Sequence, residues 1–280
     1  MNGVYNSCII QSSWMIGVIT MNEKIVVFGG TFLDVFIYGD NPHDTKIIES
    51  PGGSGLSIAF GLFRLGFDVE FISNIGNDWK GKEIFSKLRE YKFNIHGINV
   101  LEERTGYHIS KEDAAVAVDR GVNKLPLRIT KDSVGRADIV IINTEIALRS
   151  FKEICGSFTG RIFIDMGPLF SIRRADININ NNAEAIFIGN HDLGEIEDFD
   201  IIKKGPMGAT WNEIQVKGNG KKYPYTVGAG DVFDVVLIAS LLKGKTRRES
   251  LLNAVKISQN MTKDIKGAFN KVLSLHNIRL

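Results

Sequence analysis

Cysteine and proline are scarce in this 280-residue chain, with two and six copies. Cys8 and Cys155 lie too far apart for a CxxC motif and read as free thiols in a reducing compartment. The five histidines (His43, His96, His108, His191, His276) show no metal-ligand spacing, which argues against a structural zinc site. Excess charge is also lacking: 34 basic residues face 32 acidic ones, a net of +2. With no long run of one sign, nothing marks a nucleic-acid or membrane surface. The nearest candidate, Lys243-Gly244-Lys245-Thr246-Arg247-Arg248, reads as a solvated turn before a helix. No apolar run approaches the roughly 18 residues that span a bilayer. Cys8 to Thr20 is mildly apolar, but the first basic residue is Lys24, so a secretory signal is not indicated. Residues 1–20 are expected to be a tail or an upstream translation start, with the folded unit over 21–280 and a cytoplasmic location.

Apolar residues, by contrast, are plentiful at 44%, enough for a sizeable core. Short apolar runs at Lys24–Phe28, Val69–Ile72, Asp138–Ile142, Arg161–Ile164 and Ala185–Ile188 read as buried strands. Ser54–Leu65, Lys80–Lys92 and Ile146–Cys155 fit amphipathic helices between them, and that order implies βαβ units. The predicted fold is α/β, a mostly parallel central sheet flanked by helices on both faces. Residues 35–50 and 98–118 break the rhythm, alternating apolar and polar residues. They predict a small second sheet, a lid over the edge of the main one.

The most informative stretch is Thr226-Val227-Gly228-Ala229-Gly230-Asp231-Val232-Phe233, which opens a helix-like run to Leu242. Small residues at 228–230 leave backbone N–H groups uncovered, and the following helix adds its positive end, making an anion site. Asp231, in the first turn, can accept a proton from an attacking hydroxyl. A glycine-rich turn whose aspartate merely caps the next helix is the competing reading.

Thr226 to Asp231 resembles the second signature of the ribokinase (phosphofructokinase-B) family, Asp-Thr-x-Gly-Ala-Gly-Asp. Gly52-Gly53-Ser54-Gly55-Leu56-Ser57-Ile58-Ala59 resembles the first. Gly76-Asn77-Asp78-Trp79-Lys80-Gly81 is similar to a family turn, and Lys204-Gly205-Pro206-Met207-Gly208-Ala209 to its strand-turn before the ATP site. These motifs run in family order from about Lys24 to Ala268.

The resemblance implies an ATP-dependent kinase acting on a sugar, polyol or nucleoside, with ribokinase-like architecture and magnesium. It makes Asp231 the general base and Gly228, Ala229 and Gly230 the anion hole. Asp34, Gly52, Gly53 and Ser57 become substrate contacts, and Lys204, Gly205, Gly208 and Thr226 nucleotide contacts. Asp192 and Glu195 match a magnesium-organising Asn-x-x-Glu, with Asp in place of Asn; a solvated helix start is the alternative. Thr105-Gly106-Tyr107 and Arg120-Gly121-Val122-Asn123 fall on or near the lid, through which the family often forms homodimers. Tyr225, Ser57, Asp234 and Val236 depart from the pattern and argue for a shifted substrate. A non-catalytic sensor of the same fold keeps the ligand and drops the reaction. A dinucleotide-binding dehydrogenase, prompted by Gly29-Gly30, lacks the third glycine and the ribose-binding acid.

Overall fold

The computed structural model describes residues 23–130, 134–167, 173–190 and 198–280. Strands β1 (Ile25–Phe28), β4 (Val69–Gly76), β5 (Ile98–Leu101), β8 (Ile139–Asn143), β9 (Arg161–Asp165), β10 (Glu184–Asn190) and β11 (Ile201–Lys203) are parallel. Antiparallel β12 (Gly208–Trp211) and β13 (Ile214–Lys217) close one edge of the sheet. The order is β13-β12-β11-β10-β9-β8-β1-β4-β5. The chain therefore builds outward from β1 in one direction, returns to β8 at its side, and continues the other way. The β1/β8 boundary is a topological switch point, where crevices open at the carboxyl ends of parallel strands.

Strand alternation divides the core into two. Ile25 and Val27 of β1 belong to one cluster, with α1 (Ser54–Arg64), α2 (Trp79–Glu90), α4 (Ala229–Leu242), α5 (Arg247–Met261) and α6 (Ala268–Leu273). Val26 and Phe28 point the other way, against Phe151, Ile154 and Cys155 of α3 (Leu148–Ser157). Helices thus cover both faces, and β1 is buried along its length because each face has a partner. Among the described residues no helix is long and apolar enough to cross a membrane.

A separate four-stranded sheet, in order β3-β2-β6-β7, uses β2 (Phe32–Tyr38), β3 (Lys46–Gly52), β6 (Gly106–Lys111) and β7 (Ala114–Asp119). The second lid interval contributes less than 98–118: Ile98–Leu101 joins the large sheet as β5, and the small sheet resumes at Gly106. Cross-strand register aligns Asp34 with Ser50 on one side and His108 on the other. The hairpin turn between β6 and β7 returns to the main body, where the Asp113 carboxylate accepts the Val227 N–H at 3.0 Å and the Tyr38 hydroxyl at 2.7 Å.

Candidate active site

Carboxyl groups gather at the β1/β8 switch point. Asp34, on β2, is buried, and burial raises its carboxyl group above the usual range despite the His108 imidazole and the Gly53 N–H. His108 Nδ1 stands 3.5 Å from its Oδ1. Burial opposes a proton on His108, yet Asp34 and Glu145 outweigh it and raise the imidazole.

Glu145 follows β8 and is held by three donors: Ser54 N–H at 3.0 Å, Gly55 N–H at 3.3 Å and Asn143 Nδ2 at 3.1 Å. Two of those donors open α1, where the helix dipole favours an anion. Burial still dominates and, with Asp231 nearby, pushes Glu145 up to about 7.

Asp231 sits in the first turn of α4, behind Gly228, which adopts φ 81° as the N-cap. A β-carbon on Gly228 would stand 2.5 Å from the Ala268 Cα, so both the backbone angle and the close approach require glycine. Burial raises the Asp231 carboxyl; the Ser54 hydroxyl offsets this by hydrogen bonding, while Asp165 and Asp34 add to it.

Beside Gly230, the residue before Asp231, lies a cavity of about 400 Å³, whose wall includes Lys203, Gly205, Gly208, Thr226, Ala229 and Gly230. Gly205, Gly208 and Thr226 of the expected nucleotide set therefore line one space. Lys204 is not part of that wall; its neighbour Lys203 is. Lys203 shares a strand face with Ile201, which packs in the core cluster that includes Val232 and Phe233, whereas Lys204 lies past the end of β11. Lys203 Nζ lies 2.9 and 3.2 Å from the two Asp234 oxygens and 3.4 Å from Asp165 Oδ1. Burial alone would strip its proton, but these two carboxylates outweigh burial and hold it as an ammonium. The other Asp165 oxygen accepts the Ser54 hydroxyl at 3.4 Å, linking the cavity to the acidic pocket.

The remaining predicted positions divide. Gly52 lies against Asp34 and Gly53 donates to it. Ser57 is fully buried in α1, its hydroxyl without a partner among the described residues. Asp192 and Glu195 lie outside the described residues. Among the described residues no group of three or more histidine, cysteine, aspartate or glutamate side chains is arranged to hold a metal. Glu145, Asp165 and Lys203 belong to no motif read from the sequence. Their one local signal is position: each ends or follows an apolar parallel strand, where ligand sites form.

Residues 22–158 match the model of the pfkB family of carbohydrate kinases. Residues 22–158 are thus a pfkB-family carbohydrate kinase domain, and the chain is a kinase. The chain is 23% identical over 282 residues to a guanosine-inosine kinase of Exiguobacterium acetylicum, covering 84% of this chain and 93% of that relative. The fold is similar to that of a ribokinase from Thermotoga maritima, with a TM-score of 0.73 at 18% identity over 90% of this chain and 99% of that one. A ribokinase from Cryptococcus neoformans in complex with ADP gives a TM-score of 0.71 at 18% identity, covering 92% of this chain and all (100%) of the other. The ribokinase fold of this kinase thus extends well beyond the matched segment.

Proposed function

We propose that this kinase transfers the terminal phosphoryl group of ATP to a hydroxyl of a neutral polyhydroxyl compound, a sugar, polyol or nucleoside, with Asp231 as general base. One observation carries the reading: Asp231 directly follows Gly230 of the cavity wall and is close enough to feel Lys203 on that wall as well as Asp34 and Glu145 of the acidic pocket. Nucleotide phosphates entering by Gly205, Thr226 and Gly230 would bring the terminal phosphorus to Gly228–Gly230. An acceptor bound on the other side would meet it in line. Asp231 takes the hydroxyl proton as the oxygen attacks, and Gly228, Ala229 and Gly230 offer N–H groups to the developing charge. The Cryptococcus neoformans ribokinase in complex with ADP supports the use of a nucleotide. Magnesium would travel with the ATP phosphates, and Asp192 and Glu195 are the residues we assign to its waters.

Acceptor chemistry follows from the pocket's charge. Asp34, Glu145 and Asp231 are carboxyl groups close enough to perturb one another. Such a pocket accepts hydroxyl hydrogens and repels an acceptor that already carries phosphate or carboxylate. Asp34 and Glu145 are the principal acceptor-binding side chains, with Gly52, Gly53 and Ser57 forming the adjoining wall. The guanosine-inosine kinase relative favours including nucleosides among the candidates.

The second sheet acts as the lid, closing the site against water. Its edge strand β7 (AAVAVD) is exposed along nearly its whole length, with Val116 and Val118 at 65% and 54% exposure. An unpaired apolar edge of this kind is a template for a second copy, and we assign it to a homodimer through the lid. Sedimentation of wild type against Val116→Lys tests it, a monomeric wild type being the contrary result.

A coupled assay of ATP turnover with ribose, fructose, inositol, guanosine and inosine tests the activity. Turnover of one acceptor that vanishes in Asp231→Asn is the expected result. Tight acceptor binding without turnover of any candidate would replace catalysis with ligand sensing.

A further inference from the structure

We propose that Lys203 is a catalytic residue: its ammonium hydrogen-bonds the terminal phosphoryl group of ATP and stays with it through transfer. The proposal rests on the phosphotransfer reading above and extends it to a residue outside the family-like motifs.

Position comes first. Lys203 ends β11 and lines the cavity that also holds Gly205, Thr226 and Gly230. A β-carbon on Gly230 would stand 3.6 Å from Lys203 Nζ, which puts the ammonium beside the last glycine before Asp231. Its site is fixed from two directions. Asp165 ends β9, two strands away across β10, and holds the ammonium at 3.4 Å. Asp234 lies one turn after Asp231 on α4 and holds it at 2.9 Å. Anchored by a strand end and a helix, the ammonium has little freedom to leave the cavity rim.

Charge gives the reason. A phosphoryl group arriving at Gly228–Gly230 meets neutral N–H donors, yet Asp231, Asp165 and Asp234 are all close by. Those carboxylates oppose further negative charge unless a cation lies among them. Lys203 is that cation, and the low-dielectric surroundings that threaten its proton strengthen its pull on phosphate. A lysine acts here as a point charge with three donors, able to stay on Asp234 while an N–H turns from Asp165, its longer contact, to a phosphate oxygen.

The step balances without another reactant. The acceptor oxygen forms a bond to the terminal phosphorus as its proton passes to Asp231. The bond from that phosphorus to the bridging oxygen breaks, and ADP leaves with the electron pair. Lys203 keeps its proton throughout, offsetting charge on the equatorial oxygens.

Removing Lys203 alone leaves two buried carboxylates unopposed, so Lys203→Met is to be studied beside Lys203→Met/Asp234→Asn, which removes one of them. For each, kcat, the two Michaelis constants and Tm are measured, and ATP and ADP affinities are compared by calorimetry. Both variants are expected to lose about 10²–10³-fold in kcat, with the acceptor Michaelis constant nearly unchanged. ATP affinity should fall more than ADP affinity, because the contact is to the terminal phosphoryl. A double variant that regains wild-type kcat, or that keeps the wild-type preference for ATP over ADP, would overturn the assignment and leave Lys203 as a charge filler. If the wild type turns over no acceptor, the kinase reaction proposed above fails, while the ATP-over-ADP comparison still decides whether Lys203 meets the terminal phosphoryl.

Discussion

A β-carbon on Gly52 would overlap the carboxyl group of Asp34, so the glycine that ends β3 is what gives that side chain its place. Asp34 arrives on β2 and Gly52 directly opposite Phe32, two residues earlier on the same strand. Gly52→Ala should displace the carboxylate and lower acceptor kcat/KM by about 10²-fold, since an ångström of misplacement has that effect. The Michaelis constant for ATP should hold steady, and steady-state kinetics with both substrates varied would show whether it does.

Asp231→Asn should lower kcat by about 10²–10⁴-fold, the usual loss of a general base. Burial raises the Asp231 carboxyl, so its ionised form is disfavoured in the folded protein. The amide removes that penalty, and Tm should stay level or rise. A fall in Tm parallel to the loss of turnover would mean that the residue serves structure.

Glu145, pushed up to about 7, predicts an acid limb in acceptor kcat/KM near that pH, because the ionised form keeps a lone pair for a hydroxyl hydrogen that its own proton would otherwise oppose. Stability should move the opposite way. The folded chain binds this proton between about pH 4.3 and 7 while the unfolded chain does not, so the Glu145 contribution weakens as pH rises through that window. Glu145→Gln should flatten both dependences, which pH-rate profiles and urea melts would read out.

Lys271 of α6 is fully buried, with its ammonium 3.5 Å from the Gly267 carbonyl. Burial pushes it down to about 8, against the pull of Asp113 and Asp231. The unfolded chain keeps this proton to about pH 10.4, so between 8 and 10.4 stability should rise with pH. Lys271→Met should stabilise the protein at pH 7 by up to roughly 3 kcal/mol and abolish that rise. Urea midpoints at pH 7 and 10 test the sign.

Asp113 joins the lid hairpin to the loop before the anion site through the Val227 N–H. Asp113→Ala should let water reach the phosphoryl group, raising ATP hydrolysis relative to acceptor phosphorylation several-fold. Parallel assays of phosphate release and product formation would detect it; an unchanged ratio would separate this contact from lid closure.

Local chemistry in the sequence carries much of this protein. Continuous apolar runs dictate central parallel strands, since both sheet faces must be covered. Gly228-Ala229-Gly230-Asp231 dictates a left-handed turn into a helix with a carboxylate in its first turn, since φ 81° at Gly228 is a backbone choice glycine makes locally. What the chain could not display is convergence. Ser54 meets Asp165 across 111 positions, and Lys203 meets Asp234 across 31. Lys203 lines the cavity and Lys204 does not because β11 ends between them, with Lys203 on the strand face that the cavity shares. Glu145 and Asp165 become site residues only because strands far apart in the chain end side by side at one switch point, where packing and electrostatics act on distance in space.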